Sequence, residues 1–135
     1  DLENTPVGVV RDYCTMQTFP FPYLDESVSK NYFNSGVLLI DCIKWRNEEL
    51  VGILLETAKE YANQVLYGDQ CILNMVLRDR AKYYGFAENA QVKYIENIKQ
   101  QCAVKSVNLE KQPIIIHYTA ECKPWLNQMP ELFER

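Results

Sequence analysis

The sequence predicts an α/β fold. Three observations carry the prediction. Short aliphatic, β-branched runs at Pro6–Val10, Val37–Ile40 and Pro113–His117 have the length and residue types of strands. Between them, apolar residues from Leu50 to Ala62 recur at spacings of three and four, the pattern of a helix with one apolar face. A chain of 135 residues that is 47% hydrophobic is long and apolar enough for a real core in one domain.

The chain starts DLENTPVGVV, without an initiator methionine and without the basic start of a signal peptide. It opens directly into its first strand, so a piece of a longer protein, or a processed product, is expected. Pro6–Val10 runs into Arg11-Asp12, which sets a carboxylate just past a strand's C-terminal end, the edge where open α/β sheets usually bind ligands. In residues 13–30, FPFPY alternates Pro20 and Pro22 with aromatic rings. That excludes a helix interior and predicts an extended flap or a packed loop.

Asn31 to Gly36 is polar, aromatic and glycine-containing, and reads as an irregular loop feeding a strand at Val37–Ile40 that is buried on both faces. Asn34 and Ser35 stand at this junction, where an amide and a hydroxyl can face a cleft, and Gly36 permits close backbone approach. Taken singly, these residues are equally ordinary loop connectors.

Asp41 is placed to cap a short turn containing Ile43 and Trp45, and Asn47, Glu48 and Glu49 read as the start of a helix. Leu50 to Ala62 then forms an amphipathic helix laid on the sheet, with Glu56, Lys59, Glu60 and Asn63 on its solvated side. Tyr67-Gly68 breaks the pattern. Asp69 follows as the N-cap of a second helix through Ile72, Leu73, Val76 and Leu77, with Gln70 in its first turn beside exposed N–H groups and the positive end of the dipole. Ala81–Phe86 is a further short strand, whereas 88–107 carries no clear period. Pro113–His117, PIIIH, reads as a buried strand that ends on the sole histidine of the chain.

A net charge of −4 and the lack of any long Lys or Arg run argue against a nucleic-acid partner. Cys14, Cys42, Cys71, Cys102 and Cys122 are scattered, odd in number and free of CxxC spacing, which speaks against a disulfide framework or zinc knuckle and for a reducing compartment. A cysteine hydrolase finds no support: no thiol sits in an activating turn, and Cys42 and Cys71 fall on helical segments as buried residues. No stretch approaches the roughly 20 apolar residues that span a bilayer.

Four polar points thus stand at strand or helix ends: Asp12, Asn34, Asp69 with Gln70, and His117 with Lys123. Their flanking blocks, YFNSGVLLID followed by KWR, then GDQCILN, then IIHYTAECKPW, resemble in this order the catalytic half of glycosyltransferase family 8. That family includes glycogenin and bacterial lipopolysaccharide glucosyl- and galactosyltransferases. The likeness runs from about Pro6 to Trp125. It implies an α/β domain of the nucleotide-diphosphosugar transferase (GT-A) type, a mixed sheet with flanking helices, of which residues 1–135 form a single partial domain, the C-terminal portion.

The resemblance further implies a UDP-glucose or UDP-galactose donor, a saccharide or lipid-linked saccharide acceptor, a divalent metal, usually manganese, and retention of the anomeric configuration. Carried over by motif, Asp12, Asn34, Asp69 and Gln70 hold the donor sugar, with Gln70 and Asp69 at the catalytic position and Gln70 nearest the anomeric carbon. His117 ligates the metal, and Lys123 and Ala120 meet the diphosphate. Two departures stand out. The family's Asp-x-Asp motif, which supplies two further metal ligands, lies upstream of the matching segment and does not occur here, and Ala120 replaces a glycine.

The bacterial resemblance and the scattered thiols place the protein in the cytoplasm, at the inner face of a membrane where the acceptor is lipid-linked. A sheet lacking its other half is expected to cover its open edge by homo-oligomerisation. The competing reading is a non-catalytic binding or assembly module with a glycosyltransferase-like fold.

Overall fold

The structure is a computed structural model, and it describes residues 1–14, 31–95, 97, 112–120 and 123–126. FPFPY, Cys102 and Cys122 lie outside the described residues. The chain divides into two compact units, Asp1–Tyr84 and Gly85–Arg135. The α/β class and mixed sheet expected from the sequence are both present.

The first unit is built on a three-stranded sheet of β1 (Val7–Arg11), β2 (Phe33–Ile40) and β3 (Ala81–Tyr84), in the order β2-β1-β3. β1 pairs antiparallel with β2, Val7 opposite Ile40 and Arg11 opposite Phe33, and parallel with β3. As the central strand it buries Val7, Val9 and Val10, which accounts for its unbroken β-branched run. A register shift between Gly8 and Val10 bends the β1–β2 ladder just before Asp12.

β2 begins earlier than expected. Phe33, Asn34, Ser35 and Gly36 belong to the strand rather than to a loop, because pairing with Arg11 and Val10 extends the ladder through Phe33 and Asn34. Its apolar half is not buried on both faces either: Leu39 is 51% exposed and Ile40 is also exposed. Among the described residues β2 is an edge strand of this sheet, so its C-terminal end has a neighbour on one side only.

Asp41 caps α1 (Cys42–Asn47) as expected, its Oδ1 accepting from Ile43 N and Lys44 N at 3.0 Å each. Cys42, expected to be buried, is exposed. Trp45 Nε1 donates to Pro6 O at 2.9 Å, tying α1 to the start of β1.

α2 (Leu50–Tyr61) follows Glu49, whose φ of 52° is left-handed. Of its apolar residues only Leu50 is buried, in a core with Val7, Val9, Phe33 and Leu77, while Val51, Ile53 and Leu55 are exposed. The helix packs on α1 and α3 rather than lying along the sheet with its whole apolar stripe. Glu56 and Lys59 are solvated as expected, paired at 2.7 Å.

α3 (Asp69–Leu77) is capped by Gly68, not by Asp69. Gly68 has φ 49° and ψ −122°, a backbone that glycine alone enters readily, and this turn carries Asp69 into the helix as its first residue. β3 stops at Tyr84, two residues short of the expected strand, because Phe86–Asn89 winds into a 3-10 turn.

In the second unit β4 (Ala90–Gln91), within the stretch that showed no period, pairs parallel with β5 (Ile116–His117). Residues 92–95 are helical. The expected buried strand Pro113–His117 is corrected: only its last two residues pair, and Ile114, Ile115 and Ile116 are exposed, Ile114 by 72%. A parallel partner of two residues cannot cover a five-residue apolar run.

Candidate functional site

β1, β2 and α3 converge on one buried polar cluster. Asp12 follows the last residue of β1, and its N–H donates to Tyr32 O at 3.0 Å, fixing the chain as it leaves the strand. Although its side chain is a carboxylate, Asp12 is only 3% exposed. Its Oδ2 accepts from Gln70 Nε2 at 2.8 Å and from Asn34 Nδ2 at 3.2 Å, and its Oδ1 accepts from Cys14 N at 2.9 Å. A buried carboxylate is tolerable when donors surround it in this way.

The amide orientations follow from backbone donors. Gln70 Oε1 accepts from Ser35 N at 3.0 Å, and Asn34 Oδ1 accepts from Gly36 N at 3.0 Å. With both oxygens held by main-chain N–H groups, both NH2 ends turn toward Asp12. The cluster is therefore directional, and its centre must be an acceptor. At the rim, Ser35 Oγ donates to the exposed Asp69 carboxylate at 3.3 Å. Asp69 thus joins the cluster through its side chain, as the resemblance implies, and is not the helix cap.

The structure brings together Asp12, Asn34, Asp69 and Gln70, the four residues expected to hold a sugar. It also shows three that sequence reasoning missed. Asn74, fully buried, bonds Phe33 N, Phe33 O and Gln70 O, each at 2.8 Å. Tyr32 and Cys71 meet beneath Gln70, hydroxyl to thiol at 3.2 Å. Burial and the Cys71 contact push the Tyr32 hydroxyl well above the ordinary phenol range, and burial followed by the Asp12 charge raises Tyr67. The signal for Asn74 was available, since an Asn inside an apolar helical run lies one turn from Gln70 and on the same face. Tyr32 and Cys71 carried no such mark.

His117, Ala120 and Lys123 lie in the second unit. His117 Nδ1 bonds Asn89 Oδ1 at 3.0 Å. Because that oxygen can only accept, Nδ1 is the donor in this bond, and Asn89 orients the ring as a hydrogen-bonded partner orients a metal-binding imidazole. Asn89 is completely buried, and nothing in the sequence marked it. Lys123 Nζ donates to Tyr118 O, which folds the lysine back over the end of β5. Ala120 has φ 53°, the left-handed region that favours glycine, so this position has a backbone reason to be glycine. Among the described residues no group of three His, Cys, Asp or Glu could enclose a metal ion. His117 is suited to be one ligand of a larger set.

A model of the family described as "Glycosyl transferase family 8" matches residues 1–129. Glycosyltransferase GlyF of Streptococcus pneumoniae serotype 4 is 37% identical over 129 residues, covering 93% of this chain and 28% of GlyF. The crystal structure of glycosyltransferase GlyE from Streptococcus pneumoniae TIGR4 superposes with a TM-score of 0.69 at 29% identity, over 93% of this chain and 30% of that one. A structure of the galactosyltransferase LgtC in complex with donor and acceptor sugar analogs gives 0.74 at 23% identity, over 93% and 47%, a likeness of fold. The chain thus spans less than half the length of each of these proteins.

Proposed function

This chain belongs to glycosyl transferase family 8, and on that premise we propose that it is the sugar-holding portion of a retaining, manganese-dependent transferase that moves a hexose from UDP-glucose or UDP-galactose to a saccharide or lipid-linked saccharide acceptor. One observation supports this reading above the rest: a buried Asp12 carboxylate gripped by the amides of Asn34 and Gln70, beside the exposed Asp69 carboxylate and Ser35 hydroxyl. Carboxylate and amide groups of this kind orient sugar hydroxyls. Their oxygens also favour the positive charge that develops on the sugar as its bond to the diphosphate breaks.

Asp69 is the accessible carboxylate, and Gln70, locked to Ser35 and Asp12, holds its amide in place without reorganisation during the reaction. An acceptor hydroxyl replaces UDP at the anomeric carbon. In the second unit Lys123 offers positive charge to the diphosphate, and His117, oriented by Asn89, would be one metal ligand. When bound, a divalent metal supplies Lewis-acid stabilisation to the leaving diphosphate. Imidazole with oxygen ligands suits manganese. The remaining ligands would come from the family's Asp-x-Asp motif, which this sequence lacks, so the isolated chain is proposed to be inactive. The cytoplasm is the compartment this reading calls for.

The test is calorimetric titration of UDP, with and without manganese, into this chain and into the protein expressed from its complete gene. Manganese-dependent binding and hexose transfer by the latter, both lost in His117→Ala, are expected. Absence of UDP binding by both proteins would defeat the reading and favour a non-catalytic binding module.

A further inference from the structure

Both main-chain groups of Phe33 are taken by a single side-chain amide. Asn74 Oδ1 accepts from Phe33 N, and Asn74 Nδ2 donates to Phe33 O and also to Gln70 O, each bond being 2.8 Å. Among the described residues β2 is an edge strand, yet Phe33 is fully buried. An edge residue in water solvates its outward N–H and C=O; a buried one needs a protein partner. Asn74 supplies it, standing where the next strand would stand.

We propose that Asn74 is a positioning residue, which sets Gln70 against Asn34 and Asp12 and thereby fixes the geometry of the sugar-holding cluster. Phe33 immediately precedes Asn34, and the third bond goes to the carbonyl of Gln70 itself. One amide therefore joins the residue that precedes Asn34 to the backbone of Gln70, and Asn34 and Gln70 are themselves 36 residues apart in the chain. The residue type follows from the bond pattern: one acceptor and two donors in a plane. Aspartate keeps the acceptor but loses the donors, leucine loses all three bonds, and glutamine is a methylene longer and would push α3 away from β2. Gln70 Oε1 and Nε2 reach Ser35 and Asp12 from a helix turn whose distance to β2 is set here.

The kinetic consequence rests on the transferase reading above, so the experiment carries one readout that does not. Asn74→Ala and Asn74→Asp are made in the protein expressed from its complete gene. Hydrogen exchange of the Phe33 amide and the NMR resonances of the Gln70 side-chain amide are measured alongside steady-state transfer from UDP-hexose. Phe33 exchange is expected to accelerate at least roughly tenfold in Asn74→Ala, with displaced Gln70 resonances in both variants. kcat should fall roughly ten- to a hundredfold in folded Asn74→Ala, with donor KM changed less than about threefold and a loss at least as large in Asn74→Asp, whose second oxygen faces the carbonyls of Phe33 and Gln70.

Unmoved Gln70 resonances would overturn the inference whatever the activity. So would a folded variant with wild-type kcat, or a loss confined to KM. Should the wild-type protein transfer no sugar, the transferase reading fails and the exchange and resonance data alone decide the positioning role. Asn74→Asp, which keeps the volume, carries every readout if the alanine variant does not fold.

Discussion

Replacing Asp12 by asparagine tests the directionality of the buried cluster most sharply. The two side chains have nearly the same shape, so packing is unchanged and only hydrogen-bond polarity differs. In the wild type Oδ2 faces two NH2 groups, from Gln70 at 2.8 Å and Asn34 at 3.2 Å, while Oδ1 faces the Cys14 N–H at 2.9 Å. An asparagine must turn its own NH2 toward one of these donor sets. Neither amide can rotate to relieve the conflict, because Gln70 Oε1 and Asn34 Oδ1 are held by Ser35 N and Gly36 N.

Placing the new amide oxygen toward Cys14 sacrifices both bonds at Oδ2. A hydrogen bond to a charged group contributes roughly 1.5–3 kcal/mol, and the rearranged site keeps part of that through local relaxation. The expected destabilisation is about 3–5 kcal/mol, which lowers Tm by at least about 10 °C in a domain of this size. Denaturant titration and differential scanning calorimetry measure it. Asp41→Asn is the matched control, since asparagine caps a helix as well as aspartate does and the acceptor role toward Ile43 and Lys44 is retained; a change under about 0.5 kcal/mol is expected there. If Asp12→Asn also loses less than about 1 kcal/mol, the argument that backbone donors fix both amides is refuted.

Three further outcomes are expected. Ala120→Gly relieves a left-handed backbone at φ 53° and should stabilise the second unit by up to about 1 kcal/mol after the added unfolded-state entropy is counted, read from the denaturant midpoint; a loss of stability would contradict it. Gly8→Ala places a Cβ 2.5 Å from Tyr84 Cε2 and 2.9 Å from Leu2 Cδ2, and should cost about 1–3 kcal/mol by overpacking, measurable by thermal melting. Burial pushes the Tyr83 hydroxyl up to about 12 against the opposing charge of Arg11, from an ordinary value of 10.0. Its folded pKa is raised, so its contribution is fully present below pH 10 and is lost as pH rises toward 12. Stability measured from pH 9 to 12 should therefore fall more steeply in the wild type than in Tyr83→Phe.

What could be read from the sequence was short in range. Asp41 caps α1 because an aspartate side chain reaches N–H groups two and three residues on, a relation that any local window contains. Pro6 to Val10 reads as a strand because its β-branched residues fit a central position, and the motif blocks carry the family because their order survives as text. Asp12, Asn34, Asp69 and Gln70 were named together for that reason.

Tertiary structure decided the rest, and the physical reason is separation along the chain. Gln70 meets Asp12 across 58 residues and Asn34 meets Asp12 across 22, so their hydrogen bonds exist only after β1, β2 and α3 have assembled. The same assembly turned Asp69 from a cap into a rim carboxylate, through the glycine turn at Gly68 and the Ser35 hydroxyl. It also left Leu39 and Ile116 exposed, whose hydrophobicity predicted burial but whose strands have, among the described residues, too little sheet beside them to cover them. Composition and period determine which residues seek a core or a cap; only the strand order and the packing of α3 determine which polar groups meet inside it.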